Sequence, residues 1–168
     1  MPGTNFPNLY EQQGEEICCI DRFLGDDAII SLADSLSSDK TKKKLTLRGN
    51  CIAAKGASAI ADMLKVNITL ELLSLDWNLL GGPGSAHLAK GLEVNISLIQ
   101  VDLRNNGIDD EGACALAEGI MRNSTIQILD LRWNQISDKG AQAFLDMIEL
   151  SEPTITINLH GNPISAPL

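Results

Sequence analysis

The stretch that decides the fold is LDLRWNQI at residues 129–136, because its pattern returns along the chain every 28 residues. The other copies are LTLRGNCI at 45–52, LSLDWNLL at 73–80, VDLRNNGI at 101–108 and INLHGNPI at 157–164. Two apolar residues alternate with polar ones in each copy, as in a short strand with one buried face. An asparagine and a further aliphatic residue then follow. Such regular self-similarity predicts stacked structural repeats.

The second half of each unit changes to helical spacing. Aliphatic residues recur four positions apart there, for example Leu116 and Ile120. Asp26, Asp110 and Asp138 share one register just before these apolar positions, where a carboxylate suits a helix N-cap. We therefore predict one strand and one helix per unit.

The repeat register divides the chain. A polar N-terminal segment covers 1–16, and a single domain covers 17–168. Within that domain we predict a degenerate cap repeat at 17–44, full repeats at 45–72, 73–100, 101–128 and 129–156, and a partial repeat at 157–168.

The LxLxxNxI pattern resembles the leucine-rich repeat, and the 28-residue unit with its helical half at 112–120 is similar to the ribonuclease-inhibitor-like subfamily. This resemblance implies an α/β solenoid in the form of a horseshoe arc, with a parallel β-sheet on the concave side and α-helices on the convex side. The WN and RNN sequences also resemble the leucine-rich domain of centrosomal coiled-coil proteins. One residue per turn forms the expected structural asparagine ladder: Asn50, Asn78, Asn106, Asn134 and Asn162.

The charge balance argues against two classes of partner. The chain has 168 residues, with 13 lysines and arginines against 22 aspartates and glutamates, which gives a formal net charge of −9. Such a surface repels phosphate backbones and anionic lipid headgroups, so we expect neither a nucleic acid nor a membrane partner.

Several features predict a cytoplasmic protein. No apolar stretch reaches the roughly 20 residues of a membrane helix, the first residues lack a signal-peptide pattern, and the four cysteines show no CxxC spacing. We expect reduced thiols, with the centrosome, cilium or cytoskeleton as alternative locations. Glycosylation sequons begin at Asn67, Asn95 and Asn123, and we expect them to stay unmodified without a signal peptide.

The outward-facing strand residues align in rows across the predicted sheet. Tryptophan and arginine concentrate binding energy at protein interfaces, so these rows predict a protein-binding concave face. An alternative is that the charges pair with each other and the tryptophans only cover neighbouring turns. The predicted protein-binding residues are Trp77, Trp133, Arg48, Asp76, Arg104, Arg132, Asp102, Asp130, Asn105 and His160.

The sequence predicts no catalytic site, no metal site and no cofactor. His87 and His160 have no further ligand at metal-binding spacing, and the glycine-rich loop at 81–84 lacks the Gly-Lys-Ser/Thr of a nucleotide loop. The cysteines occupy repeat positions typical of small buried residues. We therefore expect a protein that is not an enzyme.

Three functions remain open. The first is a non-enzymatic scaffold that binds a protein partner, not yet identified, through its concave sheet. The second is a cytoskeletal, centrosomal or ciliary structural component. Similar repeats occur in the tropomodulin family, but those domains finish with a helix after the last strand that is missing here, which favours the centrosome or cilium. A third, less favoured function is regulation of a small GTPase, as in activators of the Ran GTPase.

The C-terminal unit raises a further question, because no helix is predicted to cover its strand. Either a partner or a second copy shields this end, or, as we favour, the last residues fold over it and their prolines blunt the edge. The residues available for that are Pro163, Ile164, Pro167 and Leu168.

Overall fold

The computed structural model describes residues 11–151 and 154–165. Strands and helices alternate along this part of the chain after an initial hairpin. The elements are β1 (Glu11–Gln13), β2 (Glu16–Cys18), α1 (Gly25–Ser37), β3 (Lys44–Thr46), α2 (Ala54–Leu64), β4 (Leu72–Ser74), α3 (Gly81–Leu92), β5 (Gln100–Asp102), α4 (Asp110–Met121), β6 (Ile128–Asp130), α5 (Asp138–Ser151) and β7 (Thr156–Asn158).

The strands form one sheet in chain order. Strands β2 to β7 are parallel and in register, so that Leu73 lies beside Leu45 on one side and Val101 on the other. Strand β1 pairs antiparallel with β2 and covers the first edge of the parallel sheet. This hairpin strand lies within the stretch 1–16 that the sequence marks only as polar.

The core lies between the sheet and the helices, and the 28-residue period places equivalent aliphatic residues in it from every unit. Leu73, Val101 and Leu129 are fully buried, as is Leu116 on helix α4. Glycine permits close contact between helices, since a Cβ at Gly91 would lie 2.7 Å from the carbonyl oxygen of Ala61. The α/β leucine-rich-repeat solenoid expected from the sequence is therefore confirmed.

The helix caps differ from the prediction. Asp109, not Asp110, is the N-cap of α4, and its side chain accepts a hydrogen bond from the Gly112 amide. Asp110 is the first helical residue, and its carboxylate instead accepts bonds from the Ser137 and Gly140 amides at the start of α5. The first amides of a helix lack partners within it. Each carboxylate in this register therefore reaches across to the next unit.

The other two aspartates of this register behave alike. Asp26 lies in the first turn of α1 and accepts a bond from the Ala53 amide at 2.8 Å, and Asp138 begins α5 and accepts from the Ser165 amide and hydroxyl. The two residues joined by each of these bonds lie 27 positions apart in sequence, in successive units.

In the described part of the chain, no helix is long and apolar enough to cross a bilayer.

Candidate protein-binding surface

The chain turns sharply where each strand segment ends, at what we call the carboxyl edge of the sheet. One register has a positive φ in all six units there, although only two of its six residues are glycine. These residues, with φ in degrees, are Asp21 (52), Gly49 (66), Trp77 (59), Asn105 (51), Trp133 (60) and Gly161 (78). A left-handed backbone costs a residue with a Cβ about 1–2 kcal/mol, and it is unusual for a bulky side chain.

Both tryptophans project into solvent from this strained position. The exposed fraction is 57% for Trp77 and 53% for Trp133. Trp133 meets the ring of His160 edge to face at a centroid distance of 5.4 Å, and a Cβ at Gly161 would lie 2.5 Å from its indole. Trp133 thus covers part of the neighbouring turn, as the alternative interpretation expects, yet half of it remains accessible.

The asparagines beside them hold the turns together from inside. The side-chain oxygen of Asn134 accepts bonds from the amides of Asn106 and Ile108, and its NH₂ group donates to the carbonyls of Leu103 and Leu131. All four bonds are 2.9–3.1 Å long. Asn50 and Asn78 bond their neighbouring turns in the same way. The ladder thus satisfies backbone groups that the turns would otherwise bury unpaired.

One member of the ladder differs. Asn106 is 2% exposed and its NH₂ group donates to Leu75 and Arg104, but its buried Oδ1 has no partner. The amide of Gly81, which has a φ of +56°, donates to the main-chain oxygen of Asn106. The equivalent Gly25 amide likewise bonds the main-chain oxygen of Asn50, whose Oδ1 nevertheless accepts bonds from the Arg22 and Leu24 amides.

The charged side chains on the strands bind one another. Arg104 donates to both carboxylate oxygens of Asp102, with a shortest distance of 2.6 Å, and lies 3.6 Å from Asp76 and 3.7 Å from Asp130. Arg132 pairs with Asp130 at 2.7 Å. The bonds to Asp102 raise the pKa of Arg104 above its ordinary value, and burial opposes that rise. This surface therefore contains opposite charges in pairs.

Asp76 departs from the expectation of an exposed row. It is only 3% exposed, accepts a bond from the Ser74 hydroxyl at 2.7 Å and lies between Arg48 and Arg104. The flanking guanidinium groups and its own repeat cover it, so a partner could not contact this carboxylate directly. The other nine predicted binding residues keep at least partial exposure.

Two exposed apolar residues at the carboxyl edge were absent from the predicted set. Phe23 is 76% exposed and Leu79 is 65% exposed. Both lie two positions beyond the left-handed row and share one register with Cys51, so the repeat spacing could have revealed them. A shallow groove of about 310 Å³ lies between Phe23 and Trp77, and one of about 400 Å³ lies between Trp77 and Trp133.

The three sequons form a second asparagine ladder, Asn67, Asn95 and Asn123, at the opposite edge of the sheet. The NH₂ group of Asn95 donates to the carbonyls of Leu64 and Asn67, and its oxygen accepts from the Ser97 and Leu98 amides. Asn67 and Asn123 make the equivalent bonds. These sequons therefore serve as helix-end turns, with their side-chain nitrogens already bonded.

The remaining predicted features lie apart from this surface. Burial raises the pKa of the Cys19 thiol to about 11, which keeps it protonated near neutral pH. Residues 11–151 and 154–165 contain no group of three or more metal-ligating side chains.

At the C-terminal end, Ile157 and Leu159 are half-buried, whereas Leu129 and Leu131 in the same register are fully buried. Pro167 and Leu168 lie outside the described residues.

The comparison with known families agrees with this geometry. A family model described as Leucine Rich repeat matches residues 43–61, 94–117 and 122–145. The chain is a leucine-rich repeat protein. No curated protein matches its sequence significantly.

Solved structures share the fold of this leucine-rich repeat protein. Leiomodin-1 actin-binding site 2 matches with a TM-score of 0.63 at 18% identity, over 82% of this chain and 80% of that chain. The C-terminal domain of tropomodulin from Caenorhabditis elegans matches with a TM-score of 0.63 at 16% identity, over 82% and 84%. Identities this low establish a common fold and leave the binding surface to be argued from its own residues.

Proposed function

We propose that this leucine-rich repeat protein is a non-enzymatic interaction module that binds a protein partner through its concave sheet, with the tryptophans at the carboxyl edge as the main contacts. The observation that carries the proposal is the exposure of both tryptophans at strained backbone positions. Folding gains little from a half-exposed indole, whereas an interface gains about 2 kcal/mol or more from a buried one. A binding role explains why tryptophan stands there.

The charged rows have a secondary role in this proposal. Arg48, Arg104 and Arg132 each lie near an aspartate, so a partner meets a surface that is locally close to neutral. These pairs already satisfy each other's charges, so they favour a partner with a matching arrangement of polar groups more than they add to affinity. Asn105 and His160 lie beside the tryptophans and complete the proposed contact area.

The test compares two double variants in affinity capture with quantitative mass spectrometry. Trp77→Ala with Trp133→Ala should abolish capture of the specific partner while thermal unfolding changes little. Ile68→Ala with Ile96→Ala is the matched control, because it removes exposed apolar side chains at the opposite edge. Equal capture by wild type and the tryptophan variant would contradict the proposal.

A role as a GTPase regulator has less support. A catalytic arginine finger must be free to reach the nucleotide, whereas Arg104 and Arg132 are held by aspartates within their own strand units. Stimulation of GTP hydrolysis by small GTPases in a turnover assay would reverse this preference.

A cytoskeletal role is the second candidate function. It is favoured by one specific observation, the structural similarity to leiomodin-1 actin-binding site 2 and to a tropomodulin domain. Actin is therefore the first cytoskeletal partner to test, ahead of the centrosome or cilium that the sequence favours. Co-sedimentation with actin filaments and with microtubules separates these possibilities, and binding to neither would leave only soluble partners.

A further inference from the structure

The carboxyl edge alternates between projecting and recessed units. Phe23 projects from the first unit, Trp77 and Leu79 from the third, and Trp133 from the fifth. The units between them carry small or partly buried residues in the same two registers. These are Gly49 and Cys51 in the second unit, and Asn105 and Gly107 in the fourth. The result is two neighbouring recesses, the grooves of about 310 and 400 Å³.

The distance between the two recesses can be compared with the distance between successive side chains on one face of an extended or helical peptide. Neighbouring strands lie about 4.8 Å apart, so features two strands apart repeat at roughly 10 Å. Side chains on one face of a β-strand repeat at about 6.7 Å, and those on one face of an α-helix at about 5.4 Å. A polyproline II helix repeats every three residues, or about 9.3 Å. The polyproline II repeat is the nearest to this spacing, whereas two turns of an α-helix, about 10.8 Å, exceed it by more.

The polar groups of the edge suit the same ligand. A polyproline II helix has no internal hydrogen bonds, so its carbonyl groups need donors from a partner. Gln135 and Asn105 line the second recess, and their side chains make no hydrogen bond within the described part of the chain. The indole N–H groups of Trp77 and Trp133 are likewise unbonded there. Because the arginines and aspartates of the strands are paired, this surface has no strong electrostatic field that would favour a charged ligand.

We propose that the carboxyl edge binds a proline-rich segment in the polyproline II conformation, which lies across the strands and places residues three apart in the two recesses. The ridge of Trp77 and Leu79 then packs between these two residues, and Phe23 and Trp133 pack outside them. This inference rests on the proposed protein-binding function and names the class of partner. Aromatic-lined grooves are a general means of recognising such segments.

The test is a fluorescence anisotropy titration of the full chain with a labelled ten-residue oligoproline and a length-matched Gly-Ser peptide. Wild type should bind the oligoproline saturably and the Gly-Ser peptide much more weakly. Trp77→Ala and Trp133→Ala should each weaken binding about thirtyfold. Asn105→Trp should also abolish it by filling the second recess, and the fold should tolerate it because tryptophan already occupies this register in two units.

Ile96→Ala at the opposite edge should leave oligoproline binding unchanged, and circular dichroism should show every variant folded. The inference is overturned if wild type does not bind oligoproline saturably, binds the Gly-Ser peptide equally well, or is unaffected by Asn105→Trp. Tryptophan-dependent self-association in sedimentation velocity, in place of peptide binding, would also overturn it.

The same variants separate this inference from the proposed function. Tryptophan-dependent capture of a partner that excess oligoproline does not displace would reject the polyproline ligand and leave the interaction module standing. Failure of both capture and peptide binding would reject both.

Discussion

At the scale of single residues, tryptophan occupies a backbone conformation that favours glycine. The same register holds Gly49 and Gly161 in other units, so the turn does not need a side chain to form. Trp77 and Trp133 therefore cost stability and add exposed apolar area. This combination is the strongest local argument for a binding role, because strained positions persist where function requires them.

The strain at Trp77 can be measured by comparing two substitutions. Trp77→Gly should be about 1 kcal/mol more stable than Trp77→Ala, because glycine adopts positive φ without steric cost. Urea denaturation of both variants gives this difference. Relative to wild type, Trp133→Gly should be less favourable than Trp77→Gly, because removal of the Trp133 ring also loses its contacts with His160 and Gly161. If Trp77→Gly were less stable than Trp77→Ala, this backbone position would not be strained by a Cβ.

At the scale of the turn, the asparagine ladder is uneven. The oxygen of Asn134 accepts two backbone bonds, and that of Asn106 accepts none. The turn before Asn106 in the stack is the one that presents Leu79 beside Trp77, so the unbonded oxygen coincides with the middle ridge of the carboxyl edge.

This unevenness predicts different costs for the same substitution. Asn134→Ala removes bonds from both ends of the amide and strands two buried amides, so it should cost about 4 kcal/mol of the free energy of unfolding. Asn106→Ala removes only the donor side and should cost about 2 kcal/mol. Urea denaturation of the pair measures the gap. Equal costs would mean that the Asn106 oxygen is bonded in solution.

The start of helix α5 is bonded by the charged carboxylate of Asp110, so the free energy of unfolding should depend on pH. The hydrogen bond from the Ser137 hydroxyl, with backbone bonds from Ser137 and Gly140, lowers the pKa of Asp110 below its ordinary value of 3.8. A lowered folded-state pKa stabilises the protein above the ordinary value, and this contribution disappears as the pH falls through the lowered one.

Asp110→Asn keeps an acceptor oxygen and removes only the charge. It should lower the free energy of unfolding by about 1 kcal/mol at pH 7, and the difference from wild type should shrink below pH 3.8. Urea denaturation at pH 7 and pH 3 measures both values. Glu111→Gln, in the same helical turn but without a bond to α5, controls for the helix dipole. A difference that persists at pH 3 would contradict this assignment.

At the scale of the whole molecule, the 28-residue period was sufficient to predict the fold, because each strand and helix repeats its own local pattern. It also placed both tryptophans at the strand ends. The cross-unit bonds of Asp110 and the burial of Asp76 were not predictable, since both depend on how neighbouring units approach in space. The ridge of Leu79 was missed for a different reason. Leu79 lies in a register that the 28-residue spacing could have revealed, but the alternation of projecting and recessed units appears only when successive copies are compared.

A core substitution should cost less stability in a terminal unit than in an inner unit of the stack, because each unit contacts only its neighbours. Leu129 is fully buried between Val101 and Ile157 on the adjoining strands, whereas Ile157 on β7 is half-buried and has such a neighbour on one side within the described residues.

Leu129→Ala should therefore cost about 3 kcal/mol and Ile157→Ala about 1 kcal/mol. Native-state hydrogen exchange should show the amides paired between β6 and β7 opening before those between β3 and β4. These two measurements address the open question of the C-terminal end without assuming what covers it. If Ile157→Ala cost as much as Leu129→Ala, and β7 exchanged as slowly as β4, this end would be shielded in solution as fully as the interior of the stack. The concentration dependence of exchange would then tell a second copy from the chain itself, because only shielding by a second copy weakens on dilution.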